Sequence, residues 1–149
     1  MYVVSSYISI SKIDIKFKKE EYMTKPHYEV VCAVIVKDDL VLCCKRNGKG
    51  ECANKWEFPG GKLEPGETKE IALLREIKEE LNCKIKINKY LTTINHEYNT
   101  FKLTMHVYIC ELLEENLELI VHTDILWCKK DQLTNLDFAE ADYKFLDLI

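Results

Sequence analysis

Gly61-Lys62-Leu63-Glu64-Pro65-Gly66-Glu67, then residues 68–74, then Arg75-Glu76-Ile77-Lys78-Glu79-Glu80-Leu81-Asn82-Cys83, is the most informative run of the 149-residue chain. Thr68 is a candidate N-cap, and the pattern behind it predicts a helix over residues 68–81. At about 100° per residue, Glu76, Glu79 and Glu80 fall within one arc of roughly 100°. Ile71, Leu74, Ile77 and Leu81 fall opposite and read as the core stripe. Carboxylates at i, i+3 and i+4 repel one another, more so near the negative C-terminal end of a helix. A solvated face would place lysines there, and the Arg75–Glu79 spacing accounts for only one pair. Hard divalent cations relieve such repulsion and prefer carboxylate oxygens.

Upstream, Pro59-Gly60-Gly61-Lys62 follows a short strand-like stretch at residues 56–58. Paired glycines let a backbone approach a ligand closely, and the lysine adds a mobile positive charge for phosphate oxygens. Directly before a carboxylate-faced helix, the element suggests a metal–phosphate site. Around it, residues 30–36 and 40–44 read as strands joined by a turn at Lys37-Asp38-Asp39, and residues 85–87, 90–96, 102–112 and 125–128 read as further strands. A closing helix is predicted over residues 139–148. Strands and helices alternate without regular βαβ spacing, which implies an α+β fold with a mixed sheet between helices.

Composition narrows the class. The chain is 47% hydrophobic and 31% charged with only five Gly and three Pro, which excludes a disordered or collagenous protein. It holds no apolar run of the roughly 20 residues a membrane helix needs. A net charge of -4 argues against gripping a nucleic-acid polymer, though metal ions can reconcile an acidic chain with a phosphorylated small molecule. The seven cysteines are odd in number, with Cys43 and Cys44 adjacent and no C-x-x-C pair. They read as small buried hydrophobes of a reducing, cytoplasmic protein. Residues 1–25, loosely alternating and then densely charged, read as an N-terminal extension; residues 1–22 are either an accessory strand or a mis-called upstream start.

Residues 61–83 resemble the Nudix box, G-x5-E-x7-R-E-U-x-E-E-x-G-U with U bulky and apolar: Gly61, Glu67, Arg75, Glu76, Ile77, Glu79 and Glu80 all match. Asn82 replaces the family glycine, at a position needing left-handed backbone, where Asn is the next-best residue. Asn54-Lys55-Trp56-Glu57-Phe58-Pro59-Gly60-Gly61-Lys62 and Leu136-Asp137-Phe138-Ala139-Glu140-Ala141-Asp142 look like the MutT branch, so the resemblance covers residues 28–149. It implies a Nudix fold (an α/β/α sandwich) over residues 26–149 that converts a nucleoside triphosphate and water into the monophosphate and diphosphate.

By resemblance, Mg²⁺ (or Mn²⁺) is held by Glu76, Glu79, Glu80 and the Gly60 carbonyl, with Glu76 as general base. Arg75 orients that carboxylate and pairs with Glu67; Gly61, Glu67 and Asn82 are structural, and Lys62 contacts phosphate. Arg46 and Asp142 are the base-reading candidates. An ionised Asp accepts hydrogen bonds only, which suits an oxidised guanine or the amino group of cytosine. Tyr98, Phe101 and Trp127 are candidates to stack on the base, sheet packing being the alternative for each. MutT relatives also carry a Glu six residues before a strand Trp, in an E-H-x4-W element. Here Val121 stands at that position before His122, with Glu118 and Asp124 as nearby substitutes.

The lead substrate is 8-oxo-dGTP, a nucleotide-pool-cleansing and DNA-protecting role; the alternative is CTP, dCTP or 5-methyl-dCTP. A reading of another class, a non-catalytic nucleotide-binding regulator, rests on Val121 alone, since the box carboxylates are complete. The expected partner is a small-molecule nucleotide, with no nucleic-acid polymer or membrane, on a monomer or homodimer.

Overall fold

Strand β1 (His27–Lys37) is buried on both faces, which is why its centre, Val30 to Val36, reads as continuous apolar sequence rather than alternation. The computed structural model describes residues 24–149; the extension expected at residues 1–25 lies outside them apart from Thr24 and Lys25. Beside β1 lie β2 (Leu40–Lys45), β3 (Trp56–Glu57), β4 (Gly60–Lys62), β5 (Ile85–Glu97), β6 (Lys102–Leu112) and β7 (Asp124–Lys129). They form one sheet in the order β3-β2-β1-β6-β5, with β4 pairing to β1 and β7 to β2. The β1–β6 pair is parallel and the other pairs are antiparallel, so the sheet is mixed.

Helix α1 (Lys69–Leu81) covers one face, where Leu73, Ile77 and Leu81 pack with Val31, Ala33 and Ile35. On the other face Cys32 and Val34 pack with Phe58, Phe138 and Phe145 of the C-terminal segment, which includes α2 (Glu140–Tyr143). The expected α/β/α sandwich is therefore the architecture. Cys43 and Cys44 point to opposite faces, into different cores, and all seven cysteines are free thiols.

The caps of α1 follow the sequence. Thr68 accepts a hydrogen bond from the Ile71 N–H at 3.2 Å, and Asn82 adopts the left-handed conformation at φ 47°, ψ 40°. Its buried face differs from the expectation. Ala72, Leu73, Ile77 and Leu81 are buried, whereas Ile71 is 56% and Leu74 44% exposed. That face is centred on Glu76 and Glu80, so the carboxylates point toward the sheet rather than away from it. The cause lies in β4, which pairs with β1 beneath the helix. A Cβ at Gly61 would sit 2.2 Å from the Glu76 carboxyl, so only glycine leaves room for an acidic side chain beneath the helix.

Two further elements depart from the sequence pattern. Residues 85–97 form one strand with register irregularities between Ile87/Lys89 and Tyr90/Thr92, not two strands. The closing helix is broken into the four residues of α2 and a 3₁₀ turn, Leu146–Leu148. Phe145 is fully buried against Phe58, with ring centroids 5.4 Å apart, and its backbone at φ −128°, ψ 7° has left the helix.

The two glycines of β4 should respond differently to substitution. A Cβ at Gly60 would lie 1.9 Å from the Val31 carbonyl oxygen, a backbone atom that cannot step aside. Gly60→Ala is expected to lower the denaturant-derived stability by about 1–3 kcal/mol. Gly61→Ala should cost much less, because the obstructing Glu76 carboxylate can swing away; equal losses would contradict this packing.

Candidate active site

Arg75, near the middle of α1, organises the box. Its Nε and Nη2 donate to the two oxygens of Glu67 at 2.6 and 2.9 Å, a bidentate fork. Nη1 donates to Glu76 at 2.8 Å and to Glu79 at 3.2 Å, and Nη2 also reaches the Lys62 carbonyl at 3.0 Å. Hydrogen bonds from Arg75 and from the Glu64 N–H hold the Glu67 carboxyl down to about 2. The expected pairing of Arg75 with Glu67, and its hold on Glu76, are both present.

Glu80 turns to β4, where Oε2 accepts the Gly60 N–H at 3.3 Å. Burial pushes its carboxyl up to about 8, with the charges of Glu57 and Glu76 adding to the rise. Glu79 is exposed at the rim. No group of three His, Cys, Asp or Glu side chains among the described residues is already arranged to hold a metal ion.

Beside Glu80 opens a cleft of about 530 Å³ whose lining includes Gly60, Gly61, Lys62, Glu57, Arg46 and Asp142. The Lys62 ammonium sits 3.7 Å over the Tyr28 ring, a cation–π contact. Tyr98 and Phe101 line the cleft, with centroids 4.7 Å apart. Trp127 does not; it packs against the core under α1. Arg46 Nη1 donates to Glu57 at 2.8 Å. Asp142 is 5% exposed and accepts the Phe58 N–H at 3.0 Å. Burial, assisted by the Glu57 charge, pushes Asp142 up to about 8. Burial and the Glu57 charge thus favour the acid form of Asp142, which can donate an O–H, over the ionised form expected.

Neither expected substitute for the missing glutamate enters the cleft. Glu118 is exposed, and the exposed Asp124 accepts its neighbour Ile125's N–H at 2.8 Å. Glu57, between Trp56 and Phe58, does line it, beside Glu80 and Asp142. Sequence reasoning gave it no role; the available signal was a charged residue held between two aromatics in a strand.

Residues 30–148 match the NUDIX domain. The chain belongs to that family and is a hydrolase acting on phosphoric anhydride bonds. It is 30% identical over 119 residues to the CTP pyrophosphohydrolase of Escherichia coli (strain K12), covering 80% of this chain and 88% of that protein. It is 35% identical over 88 residues to an 8-oxo-dGTP diphosphatase of Proteus vulgaris, covering 58% and 79%. The solution structure of a DNA mismatch repair protein MutT from methicillin-resistant Staphylococcus aureus 252 superposes with a TM-score of 0.68 at 36% identity, over 83% of this chain and 95% of that one.

Asp142 gives the stability of the protein a definite pH dependence. A carboxyl raised from 3.8 to about 8 on folding contributes stability that is complete below pH 3.8 and is lost as pH rises through about 8. Asp142→Asn keeps an acceptor for the Phe58 N–H and removes the titration. Relative to wild type its melting temperature should therefore improve steadily from pH 4 to pH 8. Parallel profiles for the two proteins would show that Asp142 titrates normally.

Proposed function

We propose that the chain is a divalent-cation-dependent nucleoside triphosphate pyrophosphohydrolase, converting a triphosphate and water into the nucleoside monophosphate and diphosphate. The observation that carries this reading is the juxtaposition of Glu76 and Glu80 with the Gly60-Gly61-Lys62 strand at one end of a cleft that has Asp142 and aromatic rings at the other. The donor set suits Mg²⁺ or Mn²⁺: these are hard carboxylate oxygens, and the charges of Glu57 and Glu76 both act on Glu80. Glu76, Glu79, Glu80 and the Gly60 carbonyl would hold the ion, which would supply charge neutralisation for the triphosphate and acidify the attacking water.

The remaining roles belong to the chain itself. Glu76, steadied by Arg75, accepts the proton of the attacking water. Lys62 leaves the Tyr28 face for a phosphate oxygen. At the base end, the geometry favours a cytosine nucleotide (CTP, dCTP or 5-methyl-dCTP) over the 8-oxo-dGTP expected first. A neutral Asp142 pairs O–H with an acceptor and C=O with a donor, as the N3 and amino group of cytosine require. The N1–H and amino edge of guanine presents two donors and asks for the ionised form.

Hydrolysis should be measured with Mg²⁺, by chromatography of the nucleotide products, against 8-oxo-dGTP, dGTP, CTP, dCTP, 5-methyl-dCTP, diadenosine tetraphosphate and ADP-ribose. A cytosine preference is expected. Preference for 8-oxo-dGTP would move the assignment to the oxidised-guanine reading, and absence of turnover on all seven would refute the hydrolase mechanism proposed for this cleft. Glu79→Gln should fold normally and lose most Mg²⁺-dependent turnover; near-wild-type rates would remove Glu79 from the metal set.

A further inference from the structure

Val121 lines the cleft where MutT relatives carry a carboxylate, and the side chain that follows it is the more unusual one. His122 also lines the cleft, yet its side chain is only 2% exposed. Its Nε2 lies 3.0 Å from Glu57 Oε1. A carboxylate accepts hydrogen bonds and does not donate them, so in the neutral imidazole Nε2 carries the proton and Nδ1 keeps its lone pair. That Nδ1 is buried with no partner among the described residues. Buried polar atoms are almost always satisfied, so an unpaired one in a residue of the cleft wall points to a contact that another molecule completes.

The same carboxylate fixes a second nitrogen of the same kind. Arg46 Nη1 donates to Glu57 Oε2 at 2.8 Å, and Arg46 Nε is likewise buried without a partner among the described residues. One open nitrogen offers an N–H and the other a lone pair, on either side of Glu57. A hydroxyl or an amide-like edge, each both donor and acceptor, satisfies the two together.

We propose that His122 is a specificity-determining residue whose Nδ1 accepts an N–H or O–H of the bound nucleotide beside the Arg46 Nε–H, with Glu57 as the positioning residue for both. The proposal rests on the nucleotide-hydrolase reading of the cleft and assigns a contact within it that the Nudix box does not contain.

The test combines spectroscopy with kinetics on the full chain. Histidine labelled with ¹⁵N reports the tautomer of His122, its signals assigned by their loss in His122→Asn. The free protein should show the Nε2–H tautomer, and saturation with the product nucleotide, CMP or 8-oxo-dGMP, should shift the Nδ1 signal. His122→Phe keeps the bulk without the acceptor and should lower kcat/KM about tenfold, chiefly through KM. His122→Asn, whose Oδ1 stands in for Nδ1, should recover most of that loss. A proton on Nδ1 in the free protein overturns the proposal. So does binding of either monophosphate, seen by calorimetry, that leaves the Nδ1 signal unmoved, or a folded His122→Phe with wild-type KM. In those cases triphosphate turnover persists and the hydrolase reading stands. If neither monophosphate binds and no triphosphate is hydrolysed, the hydrolase reading fails and this contact fails with it.

Discussion

A helix laid with acidic side chains against the paired glycines of a short strand is the constraint on which the site depends. Glu76 and Glu80 are on the buried face of α1 because Gly60 and Gly61 leave space for them, and Gly60 in turn lies against the β1 backbone. Close approach of three backbone layers thus does what an apolar interface would normally do. It leaves carboxylates partly stripped of water, where their attraction for a cation is greatest. The leucine and isoleucine that pin the helix, Leu73, Leu81 and Ile77, sit on the same face and keep that arrangement in register.

Two arginines then divide the acidic groups between them. Arg75 satisfies Glu67, Glu76 and Glu79 on the helix side, while Arg46 satisfies Glu57 across the cleft. Glu80 and Asp142 are left without a guanidinium of their own, and both have raised proton affinity. Both also line the cleft, and strongly perturbed titration of this kind often marks functional groups.

Much of this was legible in the sequence, for identifiable reasons. Thr68 and Asn82 signal helix ends through local backbone chemistry, and residues 30–36 signal a doubly covered strand because every position is apolar. Arg75 and its carboxylates were legible as spacing along one helix. The buried face of α1 was misread because counting apolar residues put Ile71 and Leu74 inside, whereas the choice of face was made by glycines in another element. Asp142 lines the cleft as a candidate, but its burial, which favours the acid form, leaves no trace in its sequence neighbours. The pairing of Glu57 with His122 was not legible because it spans 65 residues and exists only once β3 has paired with β2.

The division of Cys43 and Cys44 between two cores bears on how the protein meets oxidants. Attack by peroxide requires a thiolate, and burial acts against that form at every cysteine: Cys43 and Cys110 are pushed up to about 12, Cys83 to about 11, and Cys32, Cys44, Cys52 and Cys128 are also raised. A neighbouring pair that could have closed into a disulfide is instead split by the sheet itself. Six buried sulfurs are thereby disfavoured as thiolates, and only the half-buried Cys52 at the cleft stands within easier reach of an oxidant.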